Sequence, residues 1–330
     1  MGELRPGAAL REAFWDELTQ RMPDHPNVVV VDGDLANSTR AELVAERIPG
    51  RFLEMGIAEQ NMLGAAAGLA TMGWAPYVSS LACFAVNRAL DSIRVLIAQP
   101  GLDVKIIGGY TGILLGTAGK THQDVTDIAV MRAMPGMTVV SPADEHEARA
   151  TVRALLKRRG PAYVRLTKSP SPQLFDEKYE LELGRVVVLR QGADVTVFST
   201  GVQSTRAFEA AVLLAGRGMS VHLVHVPTIK PLDADGVVEA AKLTGLAVTT
   251  EDHSVLGGLG GAIAEVLSSR FPVRLERLGI SDRFGECGSD ASLAEKFGLS
   301  PGVIAEAVER VVSGNPRRTR RSRPVGDPGR

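Results

Sequence analysis

Residues 137–166, MTVVSPADEHEARATVRALLKRRGPAYVRL, contain a strand, a helix and a second strand in one continuous pattern. Short apolar runs at 137–140 and 162–166 predict the two strands. Between them, Ser141-Pro142 opens a helix pattern with acidic residues in its first turn and basic residues in its last, as the helix dipole favours. Continuous apolar strands alternating with helices indicate a parallel sheet covered on both faces, so this stretch predicts an α/β fold.

The same alternation extends towards the N-terminus and predicts a first α/β domain over residues 1–168. Its other candidate elements are strands at 27–32, 75–80 and 103–109 and helices at 38–46 and 83–98. From 169 to 193 the pattern lapses around Pro170 and Pro172, which predicts a linker or crossover.

After the linker the rhythm restarts and predicts a second, smaller domain over residues 194–314. Its candidate strands lie at 194–200, 220–226, 246–252 and 273–279, with helices between them. We therefore expect two doubly wound α/β domains with mostly parallel sheets. Residues 315–330 carry six arginines in sixteen residues, which predicts a solvated disordered tail or an electrostatic arm for a partner.

The composition narrows the class of protein. The formal net charge of the 330 residues is −1, so nothing global favours binding to nucleic acid or to an anionic membrane. The two cysteines, Cys83 and Cys287, lie far apart in sequence and fit reduced thiols better than a disulfide framework. No signal peptide opens the sequence, and no apolar run approaches the roughly 20 residues of a membrane span. These features predict a soluble, cytoplasmic protein.

One carboxylate lies where a buried helix is predicted. Residues 51–64 read RFLEMGIAEQNMLG, and Glu59 interrupts the start of an apolar helix pattern over 57–73. Burying a charge is costly unless it is paired or protonated, which makes Glu59 a candidate functional residue. The alternative is a carboxylate in the first turn of a helix, favoured by the helix dipole and partly solvated.

A glycine-rich segment follows the strand at 103–109 and is the second candidate site. Residues 108–124, GGYTGILLGTAGKTHQD, hold five glycines and then Thr121-His122-Gln123. Glycines let backbone approach a ligand closely, and loops after parallel strands line the crevice where α/β proteins bind small molecules. His122 could move protons near neutral pH, or it could cap the following helix. The sequence contains no dinucleotide or phosphate-loop fingerprint, no zinc-ligand spacing and no GxSxG elbow.

Taken in order, several motifs resemble the transketolase family of thiamine-diphosphate-dependent enzymes. The motifs similar to its pyrimidine-binding domain are DGDLANST (32–39), MGIAEQNM (55–62), SSLACFAVNRALDSIR (79–94), GTAGKTHQD (116–124), MTVVSPADEHEA (137–148) and YVRLTK (163–168). TEDHSVLGGLGGAIAEVL (250–267) and SDRFGECGS (281–289) resemble its C-terminal domain. The similarity runs from about residue 10 to residue 312. The motifs taken together are specific for the family, whereas no single motif would be sufficient.

The resemblance implies roles for two catalytic residues. Glu59 matches the glutamate that contacts N1′ of the cofactor's aminopyrimidine ring, where a proton favours the imino tautomer that activates the thiazolium ring. Burial favours the protonated form of a carboxyl group, so Glu59 could share or donate this proton. His122 matches a histidine that contacts substrate oxygens and assists proton transfer.

The resemblance also implies binding residues. Leu35 matches the apolar wedge between the two cofactor rings, and Asp34 lies beside it. Phe84 matches the aromatic residue on the pyrimidine face, and Arg88 follows one helical turn later; core packing is the alternative for Phe84. The residues implied for substrate binding are Ser38, Tyr110, His122, Arg165 and Lys168. Ser38, Arg165 and Lys168 fall where related enzymes bind a sugar phosphate, and ordinary capping and surface charge are the alternative for these three.

Three departures from the family pattern affect the predicted substrate. The family usually has GEDG before THQ, whereas this chain has GTAG, so Ala118 replaces an aspartate that recognises a donor hydroxyl. Tyr110 stands where many members have a histidine. Lys168 occupies a position that is often arginine, which turns a bidentate phosphate clamp into a point charge. Recognition of a standard phosphorylated ketose is therefore not expected to carry over unchanged.

The resemblance covers only half of a complete enzyme of this family. The chain lacks a GDG motif followed after about 25 residues by asparagine, which in the family holds Mg²⁺ and the cofactor's diphosphate. No metal ligand is therefore expected here, and the resemblance implies an N-terminal partner subunit with GDG…N, assembled as α2β2. The helix predicted over 57–73 would then present an apolar face to a partner, with close approach allowed by its small residues, Gly64 to Gly68.

Three functions remain open at this point. The leading one is transfer of a two-carbon ketol or similar acyl-anion unit to an aldehyde or carrier, by transketolase or deoxyxylulose-phosphate-synthase chemistry. The second is the β subunit of a 2-oxoacid dehydrogenase, which has the same architecture and also lacks the diphosphate-binding half. The motifs THQD and IAEQNM favour the first function over this one. The third is a non-catalytic subunit that stabilises its partner; Glu59 and His122 argue against it, and Ala118 leaves it open.

Overall fold

The computed structural model describes residues 4–314, and the predicted arginine-rich tail lies outside that range. The α-helices are α1 Leu10–Arg21, α2 Ala36–Thr39, α3 Glu42–Arg47, α4 Glu59–Thr71, α5 Ala82–Arg88, α6 Leu90–Ser92, α7 Asp127–Ala133, α8 Glu145–Leu156, α9 Gln203–Gly216, α10 Ala234–Thr244, α11 Leu259–Arg270, α12 Asp290–Lys296 and α13 Pro301–Ser313. The strands are β1 Val28–Asp32, β2 Phe52–Glu54, β3 Ala75–Leu81, β4 Lys105–Gly109, β5 Thr138–Val140, β6 Ala162–Leu166, β7 Val187–Arg190, β8 Val195–Ser199, β9 Val221–His225, β10 Thr228–Lys230, β11 Leu246–Ser254 and β12 Arg274–Ile280. Short 3₁₀-helices lie at Met22–Asp24, Pro49–Arg51 and Gly116–Ala118, and a π-helix follows α6 at Ile93–Ala98.

The first sheet has seven strands in the order β10-β5-β6-β4-β3-β1-β2, and its pairs are parallel except for β10 with β5. Its central strands are buried throughout, which is why they read as continuous apolar runs. The chain passes from β1 to β2 on one side and then returns to β3 on the other, so the sheet has a switch point between β1 and β3. Ligands of open α/β sheets bind beside such a point.

The second sheet has five strands in the order β12-β11-β8-β9-β7, with apolar clusters packed around it. All of its pairs are parallel except β7 with β9. The predicted α/β class and the two mostly parallel sheets are therefore confirmed. Among residues 4–314, no helix is both long and apolar enough to cross a bilayer.

Several predicted element boundaries were wrong. The helix predicted over 38–46 is divided into α2 and α3 because Arg40 adopts a left-handed conformation with φ 73°. The helix predicted over 83–98 is divided into α5, α6 and the π-helix, since Ala89 leaves the helical region. The α8 helix begins at Glu145 rather than at Ser141-Pro142, and the side chain of Asp144 caps it by accepting from the Glu147 N–H. Within the segment 169–193, predicted to be a linker, four residues form β7.

The helix predicted over 57–73 begins two residues later, as α4, and its small residues do not all face outwards. Ala66 and Ala67 are buried in the core of the first sheet, whereas Gly68 is exposed and Gly64 is partly exposed. Only part of the predicted apolar face is thus available to a partner.

Buried polar groups join the two halves of the chain. Arg165 on β6 donates from Nε and Nη2 to Asp127 at 2.7 and 3.2 Å, and from Nη2 to the backbone oxygen of Asp252 on β11 at 3.0 Å. In a second junction, His225 lies between Glu147 at 2.8 Å and Ser204 at 2.6 Å. The hydrogen-bonded series Ser204, His225 and Glu147 resembles a hydrolytic serine–histidine–acid triad. All three side chains are fully buried, however, so they form a structural link between the two halves of the chain.

Candidate functional site

The predicted site residues gather at the carboxyl edge of the first sheet. Asp34 and Leu35 follow β1, Glu59 follows β2 and Phe84 follows β3. Tyr110 follows β4, and the chain reaches Lys168 two residues after β6. Parallel strands end at the same edge of a sheet, so residues separated by more than 100 positions in sequence become neighbours.

Glu59 is the first residue of α4 and is only 5% exposed. Its Oε1 accepts a hydrogen bond from Arg88 Nη1 at 2.7 Å. A cavity of about 390 Å³ lies beside the Glu59–Arg88 pair. It is lined by these two residues together with Ala58, Gln60 and Asn61. The predicted burial of the carboxylate is observed, and the carboxylate is paired.

Phe84 on α5 connects Glu59 to His122. The guanidinium carbon of Arg88 lies 3.9 Å from the centroid of the Phe84 ring, and the His122 ring stands at 67° to the ring of Phe84 with centroids 5.4 Å apart. His122 Nδ1 is 2.9 Å from Thr121 Oγ1. The structure thus places a buried carboxylate, an aromatic face and a histidine in one continuous group.

The loops that follow β1 and β2 are held together by a residue that sequence reasoning missed. Glu54 accepts hydrogen bonds at Oε1 from the N–H groups of Asp34 and Gly56, both at 2.8 Å. Asp34 has φ 63°, a left-handed conformation that turns the backbone directly before Leu35. Leu35 is itself fixed by a hydrogen bond from its N–H to Asp32 Oδ1 at 2.7 Å. Leu35 and Asp34 are therefore positioned by two carboxylates at the ends of β2 and β1.

The buried carboxyl group of Asp32, in this loop, makes the free energy of unfolding of the protein depend on pH. Burial raises its pKa to about 6, although the Leu35 N–H opposes the shift. The native state therefore keeps a proton that the unfolded state releases, and stability falls as the pH rises from about 4 to about 6. We expect Asp32→Asn to remove this loss, so that the variant gains up to about 3 kcal/mol on the wild type across that window.

Urea denaturation of both proteins at pH 4, 5, 6 and 8 would measure this gain. Parallel pH profiles for the wild type and Asp32→Asn would contradict the assignment. Asp24→Asn, an exposed change in the 3₁₀-helix before β1, is the matched control and should leave the profile unchanged.

A second group of site residues surrounds Tyr110. Lys168 Nζ and the guanidinium carbon of Arg11 each lie 5.4 Å from the Tyr110 ring centroid. Arg11 also donates to the backbone oxygen of Ser38 at 3.1 Å, and its buried Nε has no hydrogen-bond partner among residues 4–314. Two cations and a phenol near Ser38 are suited to binding an anionic group. Sequence reasoning missed Arg11, which lies on α1, ahead of the first motif that carries the family resemblance.

Arg165 is not part of that group. It is 4% exposed, and its guanidinium is committed to Asp127 and to the backbone of Asp252. The sequence-based assignment of Arg165 to substrate binding is therefore not supported by its position, whereas Ser38, Tyr110 and Lys168 are placed together.

The second domain holds the loop that carries His122. Asp252 Oδ1 accepts from the Ile113 N–H at 3.1 Å, and Gln123 Nε2 donates to the backbone oxygen of Glu286 at 3.0 Å. Asp290 accepts from the Gly116 N–H at 2.8 Å through Oδ1 and from Ser169 through Oδ2. A single carboxylate of the second domain therefore joins the His122 loop to the residue that follows Lys168.

Comparisons with known proteins agree with this geometry. Residues 7–173 match the transketolase pyrimidine-binding domain, and residues 184–304 match the transketolase C-terminal domain. The chain is 40% identical over 302 residues to the 6-deoxy-6-sulfo-D-fructose transketolase subunit SqwH of Clostridium sp. (strain MSTE9), covering 92% of this chain and 94% of that protein. It is 34% identical to one subunit of the apulose-4-phosphate transketolase of Phocaeicola vulgatus, covering 92% and 97% of the two chains. Among solved structures, a split-gene transketolase described as an inactive beta4 tetramer is 41% identical, with a TM-score of 0.86 over 93% of this chain and 99% of that one.

Proposed function

The chain belongs to the transketolase family, and we propose that it is the pyrimidine-binding, C-terminal subunit of a two-subunit thiamine-diphosphate-dependent enzyme that transfers a two-carbon ketol unit. The observation that carries the proposal is the buried Glu59 beside Phe84 and His122 at the switch point of the first sheet. This arrangement offers a proton site at the edge of a cavity, with an aromatic face and a proton-transfer group next to it.

The residues present fit the pyrimidine end of thiamine diphosphate. Glu59 presents a carboxylate to a planar group that donates a hydrogen bond, and Phe84 offers a ring face for stacking. The planar guanidinium of Arg88 makes both of these contacts in the structure. When bound, this cofactor supplies a carbanion-like nucleophile and an electron sink. In our proposal Glu59 holds a proton at the aminopyrimidine nitrogen, and Asp34 and Leu35 line the cofactor from the loop after β1.

His122 and the group around Tyr110 would act on the substrate. His122 is half-buried beside Phe84, where it can hold or move a proton at a substrate oxygen. Arg11, Lys168 and Tyr110 would bind the substrate's anionic end, and Ser38 lies beside them. Ala118 offers no side-chain hydrogen bond where the family pattern has an aspartate, which favours a substrate without a hydroxyl group to be recognised at that point.

The partner in this proposal is an N-terminal subunit with the GDG…N motif that holds Mg²⁺ and the diphosphate. Exposed apolar side chains at the two ends of α4 and on the neighbouring π-helix support it: Ile57 is 73% exposed, Met72 78%, and Leu96 42%. Exposed apolar side chains grouped around one helix are typical of a protein interface. An α2β2 assembly with sites at subunit interfaces would cover them.

Reconstitution with the N-terminal subunit tests the function. The pair would be co-purified, loaded with thiamine diphosphate and Mg²⁺, and assayed against ketose phosphates, ketose sulfonates and 2-oxoacids with aldehyde acceptors. We expect turnover of a ketose that carries an anionic terminal group. Turnover of 2-oxoacids alone would instead support the function of a dehydrogenase β subunit, and a loaded complex inactive on the whole panel would support a structural subunit.

Asp290 should affect turnover without affecting the cofactor. Asp290→Ala removes the carboxylate that joins the His122 loop to Ser169, and misplacement of a catalytic group by about 1 Å can cost 100-fold. We expect kcat of the reconstituted enzyme to fall by about 10- to 100-fold at an unchanged dissociation constant for thiamine diphosphate. Glu295→Ala, an exposed change on the same helix α12, is the control; equal effects of the two variants would argue against a positioning role for Asp290.

A further inference from the structure

The Arg88 side chain lies where the proposed function requires a bound heterocycle. Its Nη1 is 2.7 Å from Glu59 Oε1, and its guanidinium carbon is 3.9 Å from the Phe84 ring centroid. Among residues 4–314, Glu59 has no other side-chain hydrogen bond or ion pair. The Arg88 side chain is 47% exposed, whereas that of Glu59 is only 5% exposed, so Arg88 covers the carboxylate from the solvent side.

A guanidinium group has the properties that this site would select in its cofactor. It is planar, it donates hydrogen bonds to a carboxylate, and it stacks on aromatic rings. An aminopyrimidine held by Glu59 and Phe84 would use the same carboxylate and the same ring face. At Glu59 Oε1 and on the face of Phe84 that Arg88 covers, the two groups cannot be bound at the same time.

We propose that Arg88 is a built-in competitor of the cofactor: its guanidinium closes the pyrimidine site in the free chain and leaves when thiamine diphosphate binds. This inference rests on the proposed function, because it takes Glu59 and Phe84 as the pyrimidine contacts. It changes the role of Arg88, which the resemblance alone assigns to cofactor binding.

The local structure allows this displacement without a backbone rearrangement. Arg88 is the last residue of α5, and Gln60 Nε2 donates to its backbone oxygen at 3.1 Å, so its main chain is anchored while its side chain reaches solvent. Asn87 Nδ2, one residue earlier, donates to Asp124 Oδ2 at 3.1 Å and anchors the helix to the His122 loop. Rotation of one half-exposed side chain is therefore sufficient to open the site.

Cofactor binding to the assembled enzyme provides the first test. The dissociation constant for thiamine diphosphate would be measured by titration calorimetry for the wild type, Arg88→Met and Arg88→Lys, each paired with the N-terminal subunit. An exposed ion pair and a cation–π contact together correspond to roughly a tenfold change in an equilibrium constant, so Arg88→Met should bind roughly tenfold more tightly. Arg88→Lys keeps the charge and loses the planar stack, and should lie between the two.

Arg94→Met is the matched control, since within the described residues 4–314 its side chain pairs only with Asp91, at an exposed position in the π-helix that follows α6. Unchanged or weaker binding by Arg88→Met would overturn the inference while leaving the proposed function intact. Absence of binding by every assembled form, Arg88→Met included, would instead overturn the proposed function.

A second test needs no cofactor. Carbodiimide labelling of carboxyl groups in the isolated chain, read by mass spectrometry, reports how accessible Glu59 is. We expect Arg88→Met to increase labelling of Glu59 several-fold and to leave that of Glu46, an exposed carboxylate on α3, unchanged. Equal labelling of Glu59 in the wild type and Arg88→Met would show that Arg88 does not cover the site.

Discussion

Replacing Glu59 with glutamine should reduce turnover of the reconstituted enzyme by at least about 100-fold, since proton transfer by a positioned side chain contributes 10²–10⁴-fold. Glutamine keeps the size of the side chain and can still accept from Arg88, but it cannot hold and release a proton. Glu59 is 5% exposed at the start of α4, so solvent has little access to this position and does not take over its role in proton transfer. The steady-state rate with thiamine diphosphate, Mg²⁺ and saturating substrate is the measurement.

The control for this variant is Glu46→Gln, which removes an exposed carboxylate from α3 and should leave the rate within about twofold of the wild type. Thermal unfolding of Glu59→Gln would establish that the variant is folded. A rate close to that of the wild type in a folded Glu59→Gln complex would contradict the catalytic role and favour a purely structural subunit.

Arg165→Leu should destabilise the chain by about 3–5 kcal/mol, because it leaves the buried carboxylate of Asp127 without its cation. Asp127 is fully buried and accepts both from Arg165 and from the hydroxyl of Tyr163 at 2.7 Å. Burial alone would raise the pKa of Asp127, but the charge and hydrogen bonds of Arg165 hold it below its usual value. Urea denaturation at pH 7 would measure the loss.

The sign of the pH dependence provides a further check on this pair. Since the pKa of Asp127 is lowered in the folded state, its contribution is present above the unfolded value and is lost as the pH falls through the folded value. The difference between the wild type and Arg165→Leu should therefore shrink below about pH 4. Arg47→Leu, which removes a half-exposed ion pair with Asp16, is the control and should cost no more than about 1 kcal/mol. A comparable loss of stability in the two variants would mean that the buried pair stabilises the protein no more than a half-exposed pair does.

The sequence predicts the sheets well because their signal is local. The strand predicted at 162–166 forms β6 with the same bounds, and those predicted at 27–32 and 103–109 form β1 and β4 with ends within about two residues. The site residues Glu59, Phe84 and His122 are identified through motifs, and the parallel strands bring them together at one edge. Helix ends are less predictable: the left-handed Arg40 and the Asp144 cap depend on tertiary contacts and single side chains.

What the sequence could not show is which partner each charged side chain finds. Arg165 and Lys168 lie three positions apart after the same strand pattern, yet the first is buried against Asp127 and the second reaches Tyr110. Arg11 and Asp290 stand 279 positions apart in the sequence, yet Arg11 contacts Tyr110 and Asp290 contacts the loop of His122, both of which belong to the candidate site. Such long-range pairings leave no periodic signal, so only the folded chain reveals them.

The antiparallel strand β10 limits how this protein can be divided into fragments or recombined with relatives. It comes from the second half of the chain but completes the edge of the first sheet by pairing with β5. A fragment ending before residue 194 would leave β5 with an open edge, and open edges invite pairing between molecules. A chimera that exchanges residues 194–314 with a relative would likewise import a foreign edge strand, so the practical unit of recombination is the whole polypeptide and not either sheet.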